Sequence, residues 1–277
     1  MDRKFISSPE LITISRNEKR GKYKVKSKNV LLYFTGTHNS LMVARMIAEA
    51  MSQRELGECE IMPISQFNTK EKLETDSLGI ICPVYWFGLP NIVRETVAKM
   101  NIKTGTYIYA VITMGSSAGN ALPELSKLLE QKQNTLSYGA CVKCPDNYTT
   151  MLGAQKVQKH KLILEEARKA IKEIASDICE QKENQIPKFH KFTELLFSSQ
   201  RHSLAGQDKK FYVDETCNGC GLCEKKCPVQ NIRMEGGKPL WQHHCEFCIS
   251  CISYCPQNAI QFGRKTKGKP RYQNPFS

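Results

Sequence analysis

The chain has 277 residues, 40% of them apolar, with thirteen cysteines and a formal net charge of +13. It is too long for one small domain, and the apolar share supports a substantial core. No apolar run is long enough to span a bilayer, and the N-terminus lacks the apolar stretch of an export signal, so a cytoplasmic setting with reduced thiols is expected. The charge is concentrated at the ends. Residues 1–28 carry nine Lys or Arg against three acids, and residues 263–277 carry five against none. The body is therefore almost neutral, which argues against nucleic-acid binding. Both ends read as solvated extensions that aid solubility or dock an acidic redox partner.

After the basic extension at residues 1–28, short apolar runs alternate with helical patterns over residues 29–180. Strands are expected at Val30–Phe34, Glu60–Ile64, Leu78–Tyr85, Tyr107–Met114 and Leu136–Val142. Most are continuous and rich in β-branched or aromatic residues, as in strands buried on both faces. Helices are expected at Leu41–Arg54 and Asn91–Met100. Leu122, Leu125, Leu128 and Leu129 mark a third. A longer one carries Ile163, Ala167, Ile171, Ile174 and Ile178 at spacings of three or four. This alternation predicts an α/β doubly wound parallel sheet.

Such sheets bind ligands beyond the carboxyl ends of their strands. Three loops there carry unusual residues. Thr35, Gly36, Thr37, His38, Asn39 and Ser40 lead into a helix, and their hydroxyls, amide and backbone N–H groups suit a phosphate; the same residues also suit a plain helix cap. Pro83, Val84, Tyr85, Trp86, Phe87 and Gly88 form an aromatic loop. Gly115 and Gly119 belong to a glycine-rich loop. The two together suit the faces of a flat ring. Cys82 reads as core packing, and Cys59 and Cys179 have no ligand partner near them in sequence. Cys141 and Cys144 end a strand, whereas redox dithiols open helices, so they read as structural.

Residues 181–208 form the connection. Phe192, Leu195, Leu196 and Phe197 predict a short helix that presses the last domain against the first, or joins the first core. Residues 209–263 contain an internal repeat. Cys217, Cys220, Cys223 and Cys227-Pro228 are repeated 28 positions on as Cys245, Cys248, Cys251 and Cys255-Pro256. Small strands are expected at Phe211–Val213, Ile232–Met234, Pro239–Trp241 and Ile260–Phe262. Gly219 and Gly221 remove side-chain bulk where backbone N–H groups approach sulfur. A zinc site of two C-x2-C pairs would leave the third cysteine, the proline and the repeat unexplained. His243 and His244 read as surface residues. A basic tail at 264–277 ends the chain.

The run C-x2-C-x2-C-x3-C-P resembles that of bacterial two-cluster ferredoxins, in which the fourth cysteine ligates the other 4Fe-4S cluster. The resemblance assigns Cys217, Cys220, Cys223 and Cys255 to one cluster and Cys245, Cys248, Cys251 and Cys227 to its mate, in a small α+β ferredoxin-like domain. About fifty residues are too few for a self-sufficient core, so folding should depend on the metal. Tyr33–Ser40 resembles the phosphate loop of flavodoxins, which bind FMN. By that likeness Thr35, Thr37, Asn39 and Ser40 hold the phosphate, with Gly36 and His38 in the same loop. Tyr85, Trp86, Gly88, Gly115 and Gly119 surround the ring, beside Pro83 and Val84. Flavodoxins usually have glycine where this chain has His38. From residue 29 to 262 the chain is similar to bacterial flavodoxin–ferredoxin fusions. The resemblance implies an electron-transfer protein with two 4Fe-4S clusters, FMN and an unidentified redox protein partner. Two alternatives stay open: a flavin-dependent oxidoreductase acting on a small molecule, with Tyr85, Tyr148 and His38 as conceivable proton donors, and a flavin-free docking domain fused to a ferredoxin.

Overall fold

A computed structural model describes residues 28–148 and 157–276. The basic extension at 1–28 lies outside them except for its last residue. Five strands, β1 (Lys28–Tyr33), β2 (Glu58–Pro63), β3 (Ser77–Pro83), β4 (Tyr107–Met114) and β5 (Leu136–Lys143), form one parallel sheet in the order β2-β1-β3-β4-β5. Side chains alternate faces along each strand, and both faces are covered. Val30, Leu32, Ile80, Ile108 and Ile112 pack with Val93 and Val97 of α2 (Asn91–Lys99) and with Leu125 and Leu129 of α3 (Ala121–Glu130). Leu31, Ile81, Tyr109 and Val111 pack with Ile47 of α1 (Asn39–Gln53) and with Ile171 and Ile178 of α4 (Val157–Cys179). The unbroken apolar runs thus follow from two-sided burial. Among the described residues no helix is long and apolar enough to cross a membrane.

The connection serves both modules. The Asn184 side chain exchanges two 2.9 Å hydrogen bonds with the backbone of Gly139, closing the free edge of β5, and Ile186 packs on the first core. The Asn120 side chain does the same with the backbone of His190. The four apolar residues expected to dock together divide. In α5 (Lys191–His202), Phe197 packs on Phe87 at 4.5 Å, while Phe192, Leu195 and Leu196 are 72%, 77% and 45% exposed.

In the second module β6 (Phe211–Val213) pairs with β9 (Ile260–Phe262), and β7 (Ile232–Glu235) with β8 (Lys238–Trp241). Two short helices, α6 (Leu222–Lys225) and α7 (Ser250–Tyr254), complete it. The repeat extends to the backbone. Gly219 and Phe247 share a left-handed conformation, as do Gly221 and Ile249, and Gln230 and Asn258. The second copy therefore holds a phenylalanine and a β-branched isoleucine where the first holds glycines, at an energetic cost. Burial of Phe247 and Ile249 with Phe211, Trp241 and Phe262 offsets that cost.

The C-terminal segment is not the solvated tail expected. Arg264, Lys265 and Lys267 are exposed, but Thr266, Tyr272 and Asn274 are buried, and the Asn274 N–H donates to the Thr37 carbonyl at 3.1 Å. Net charge described the segment's solvated residues and hid the buried ones between them.

Candidate functional site

The loops after β1, β3, β4 and β5 meet in a cleft of about 280 Å³. It lies beside β1, whose two neighbours are reached by crossovers in opposite directions, the switch point where doubly wound sheets take their ligands. At one end, residues 35–40 turn into the 15-residue α1, whose first N–H groups and dipole favour an anion. Thr35, Gly36, Thr37, Asn39 and Ser40 all line the cleft. Three of those side chains are committed to the protein, Thr37 through its Oγ1, which accepts from the Asn147 amide at 2.7 Å. The Asn39 Oδ1 accepts from the Tyr272 hydroxyl at 2.6 Å and the Asn274 amide at 3.0 Å, while its Nδ2 donates to the Pro145 carbonyl. Ser40 shares a 2.9 Å hydrogen bond with Thr113. Their backbone N–H groups, more than their side chains, are what the loop offers an anion.

Pro83, Val84, Tyr85, Trp86 and Gly115 also line the cleft; His38, Gly88 and Gly119 do not. Tyr85 and Gly88 exchange backbone hydrogen bonds around a two-residue turn in which Trp86 and Phe87 have φ of 45° and 58°. Such turns favour Asn and Gly, so this one is strained. Gly119, with φ of 52°, lies so close that a Cβ there would come within 2.5 Å of Phe87. The two glycines seat the turn that presents Trp86. His38 takes the left-handed backbone (φ 70°) that glycine adopts readily, and its ring lies 5.0 Å from that of Tyr254. Burial, then the charges of Lys226 and Arg45, lower its pKa to about 4. The imidazole is thus neutral at neutral pH and joins the two modules.

Sequence reasoning missed Asp146 and Asn147, which line the cleft, and the lining roles of Cys144 and Tyr148. They follow β5, so the carboxyl-end rule pointed to them. Burial pushes the Cys144 thiol up to about 12 and raises Cys141 as well, which leaves neither a ready nucleophile. The remaining wall comes from the second module: Phe247, Cys248 and Ile249 line the same cleft. A Cβ on Gly36 would collide with the Cys248 carbonyl oxygen. This contact requires glycine at position 36.

The cysteines gather across the repeat. Cys217, Cys220 and Cys223 surround one small cavity together with Cys255 from the other copy. Among the remaining four, burial first, then the charges of Cys245, Cys227 and Cys251, hold the Cys248 thiol well above its ordinary range. Backbone N–H groups point at sulfur in a repeated pattern: Asn231 at Cys227 (3.2 Å) and Ala259 at Cys255 (3.3 Å), with Phe247 at Cys245 (3.2 Å). These donors suit thiolate ligands. Loading iron must displace protons from these thiols. Among the described residues no three His, Cys, Asp or Glu are placed to share a single ion.

The strand order 2-1-3-4-5 with a cleft at its switch point is the flavodoxin-like arrangement, and the crossed cysteine repeat beside it is a two-cluster 4Fe-4S module. Residues 209–256 match the 4Fe-4S dicluster domain family. A subunit of an ion-translocating oxidoreductase complex from Methanosarcina acetivorans is 40% identical over 57 residues, covering 20% of this chain and 22% of that protein. An uncharacterized protein of Methanocaldococcus jannaschii is 41% identical over 59 residues, covering 21% and 23%. The chain thus spans under a quarter of the length of these curated relatives. A solved archaeal flavodoxin is 14% identical, with 55% of this chain and 98% of that one covered at a TM-score of 0.38.

Proposed function

We propose that this protein is an electron carrier that couples two 4Fe-4S clusters to a bound FMN and exchanges electrons with a redox protein partner. The functional units are residues 29–180 and 209–263, joined by 181–208. When bound, the clusters supply one-electron steps and the flavin one- or two-electron steps. Cys217, Cys220, Cys223 and Cys255 hold one cluster, and Cys245, Cys248, Cys251 and Cys227 the other. The N–H groups of residues 36–40 and the Thr35 hydroxyl would hold the phosphate, with the O–H of Thr37 left to donate while its oxygen accepts from Asn147, and Tyr85, Trp86 and Gly115 would flank the ring. The observation that carries this reading is the shared wall: the loop holding Cys248 is packed on Gly36 and lines the flavin cleft. A ligand cysteine of one cofactor thereby borders the site of the other.

The test is anaerobic purification followed by iron, sulfide and flavin assays with visible and EPR spectra. Two clusters and one FMN per chain are expected. Cys217→Ser should abolish one cluster signal and leave the other largely intact. Material that is colourless and EPR-silent in every oxidation state overturns the proposal.

A further inference from the structure

Beside the flavin cleft lies a second one, of about 520 Å³. The two share the wall made by Trp86, Tyr148, Leu204 and Phe247. Along that wall the rings form a chain: Trp86 to Tyr148 at 6.4 Å, Tyr148 to Phe247 at 5.8 Å and Phe247 to Phe262 at 4.9 Å. The other side is basic. Lys210, Arg264 and Lys265 line it, all exposed, and no carboxylate stands among the described residues of its lining. Gln200 and Gln207 add amides, and the Gln207 side-chain oxygen accepts from Lys210 Nζ at 2.9 Å, fixing that ammonium at the rim.

A concave site with an aromatic wall and a few convergent cations selects a flat organic anion. The rings provide apolar and stacking surface. The guanidinium and ammonium groups hold a carboxylate, sulfonate or phosphate. Lys210 comes from the start of the second module and Arg264 and Lys265 from the C-terminal segment, and the fold sets them across the cleft from the aromatic wall. We propose that this cleft binds an aromatic organic anion, with its ring on the Trp86–Tyr148–Phe247 wall and its anionic group on Lys210, Arg264 and Lys265. The site assignment stands apart from the flavin reading.

Calorimetric titration of the full-length protein with naphthalene-1-sulfonate tests this, using neutral 1-naphthalenemethanol as the control and working with and without saturating FMN. One saturable sulfonate site is expected, unaffected by FMN and weakened by added salt. The triple variant K210Q/R264Q/K265Q should bind roughly tenfold more weakly, from the loss of three exposed charges. These are surface positions, and an unchanged thermal midpoint confirms the fold; should the triple variant unfold, Arg264→Gln with a salt titration decides. Absence of saturable binding, equal binding of the neutral compound, indifference to the charge variants, or displacement by FMN overturns the proposal. Because sulfonate binding is read separately from FMN uptake, failure of one does not mask the other.

Discussion

The contact at Gly36 gives the sharpest test at the level of a single residue. Gly36→Ala puts a methyl group into the Cys248 carbonyl. Backbone cannot yield as a flexible side chain does, so a loss of roughly 1–3 kcal/mol is expected from overpacking. Chemical denaturation measures it, and FMN retention should fall in parallel because the cleft loses its second wall. His38 gives a complementary test. Its pKa is lowered from 6.5 to about 4 in the folded chain. Between those values the unfolded chain binds a proton that the folded one refuses, so this contribution to stability falls as pH drops from about 6.5 to about 4. His38→Asn keeps a residue that tolerates the left-handed backbone. It should flatten the stability profile relative to the wild type across that window, as read from denaturation midpoints at successive pH values. The phosphate loop was legible as a loop. The use of its side chains was not, because Asn39 and Tyr272 lie 233 positions apart and local pattern holds no trace of such a pair.

Among the elements, the start of α2 depends on the other module. The Glu246 carboxylate, between Cys245 and Cys248, accepts the Ile92 N–H at 3.0 Å and so caps a helix whose preceding residue, Pro90, makes no side-chain cap. Glu246→Ala should cost about 1 kcal/mol, the usual value of a lost cap, and should speed amide exchange at residues 91–94. Glu124 accepts from the Leu89 N–H at 3.0 Å and from Arg94 Nε at 2.6 Å, holding the loop that carries Trp86. Strands and helices were readable because two-sided burial writes unbroken apolar runs and one-sided burial writes a helical stripe. The strand order was not readable, since it arises from long-range pairing. Gly88 and Gly119 look like ring-binding glycines in sequence. Only the strained turn at Trp86 and Phe87 reveals that they position another residue.

For the molecule as a whole, the expected behaviour on iron removal follows from the unequal cores. The first module encloses two apolar layers around its sheet; the second has a handful of aromatic rings around its cysteine loops. Chelation under reducing conditions should melt residues 209–263 and leave the five-stranded sheet intact, as followed by hydrogen exchange. Retained protection throughout the second module after complete iron loss would contradict the metal-dependent fold. FMN affinity should also drop, because Phe247, Cys248 and Ile249 leave the cleft. The repeat itself was legible to the residue, because cysteine spacing is a local code. The docking of the C-terminal segment was not, because its charges masked Tyr272 and Asn274.

The abutment of Gly36 on the Cys248 carbonyl bears on how such a molecule can be taken apart. Two carriers on a tether can be severed, shuffled and rejoined without injury. Here each half supplies masonry for the other, through the histidine at 38, the glutamate at 246 and the tyrosine at 272. Expressing the sheet alone would bare an apolar flank and leave a chamber missing one side. Grafting a foreign ferredoxin behind it would restore the electrons and not the architecture.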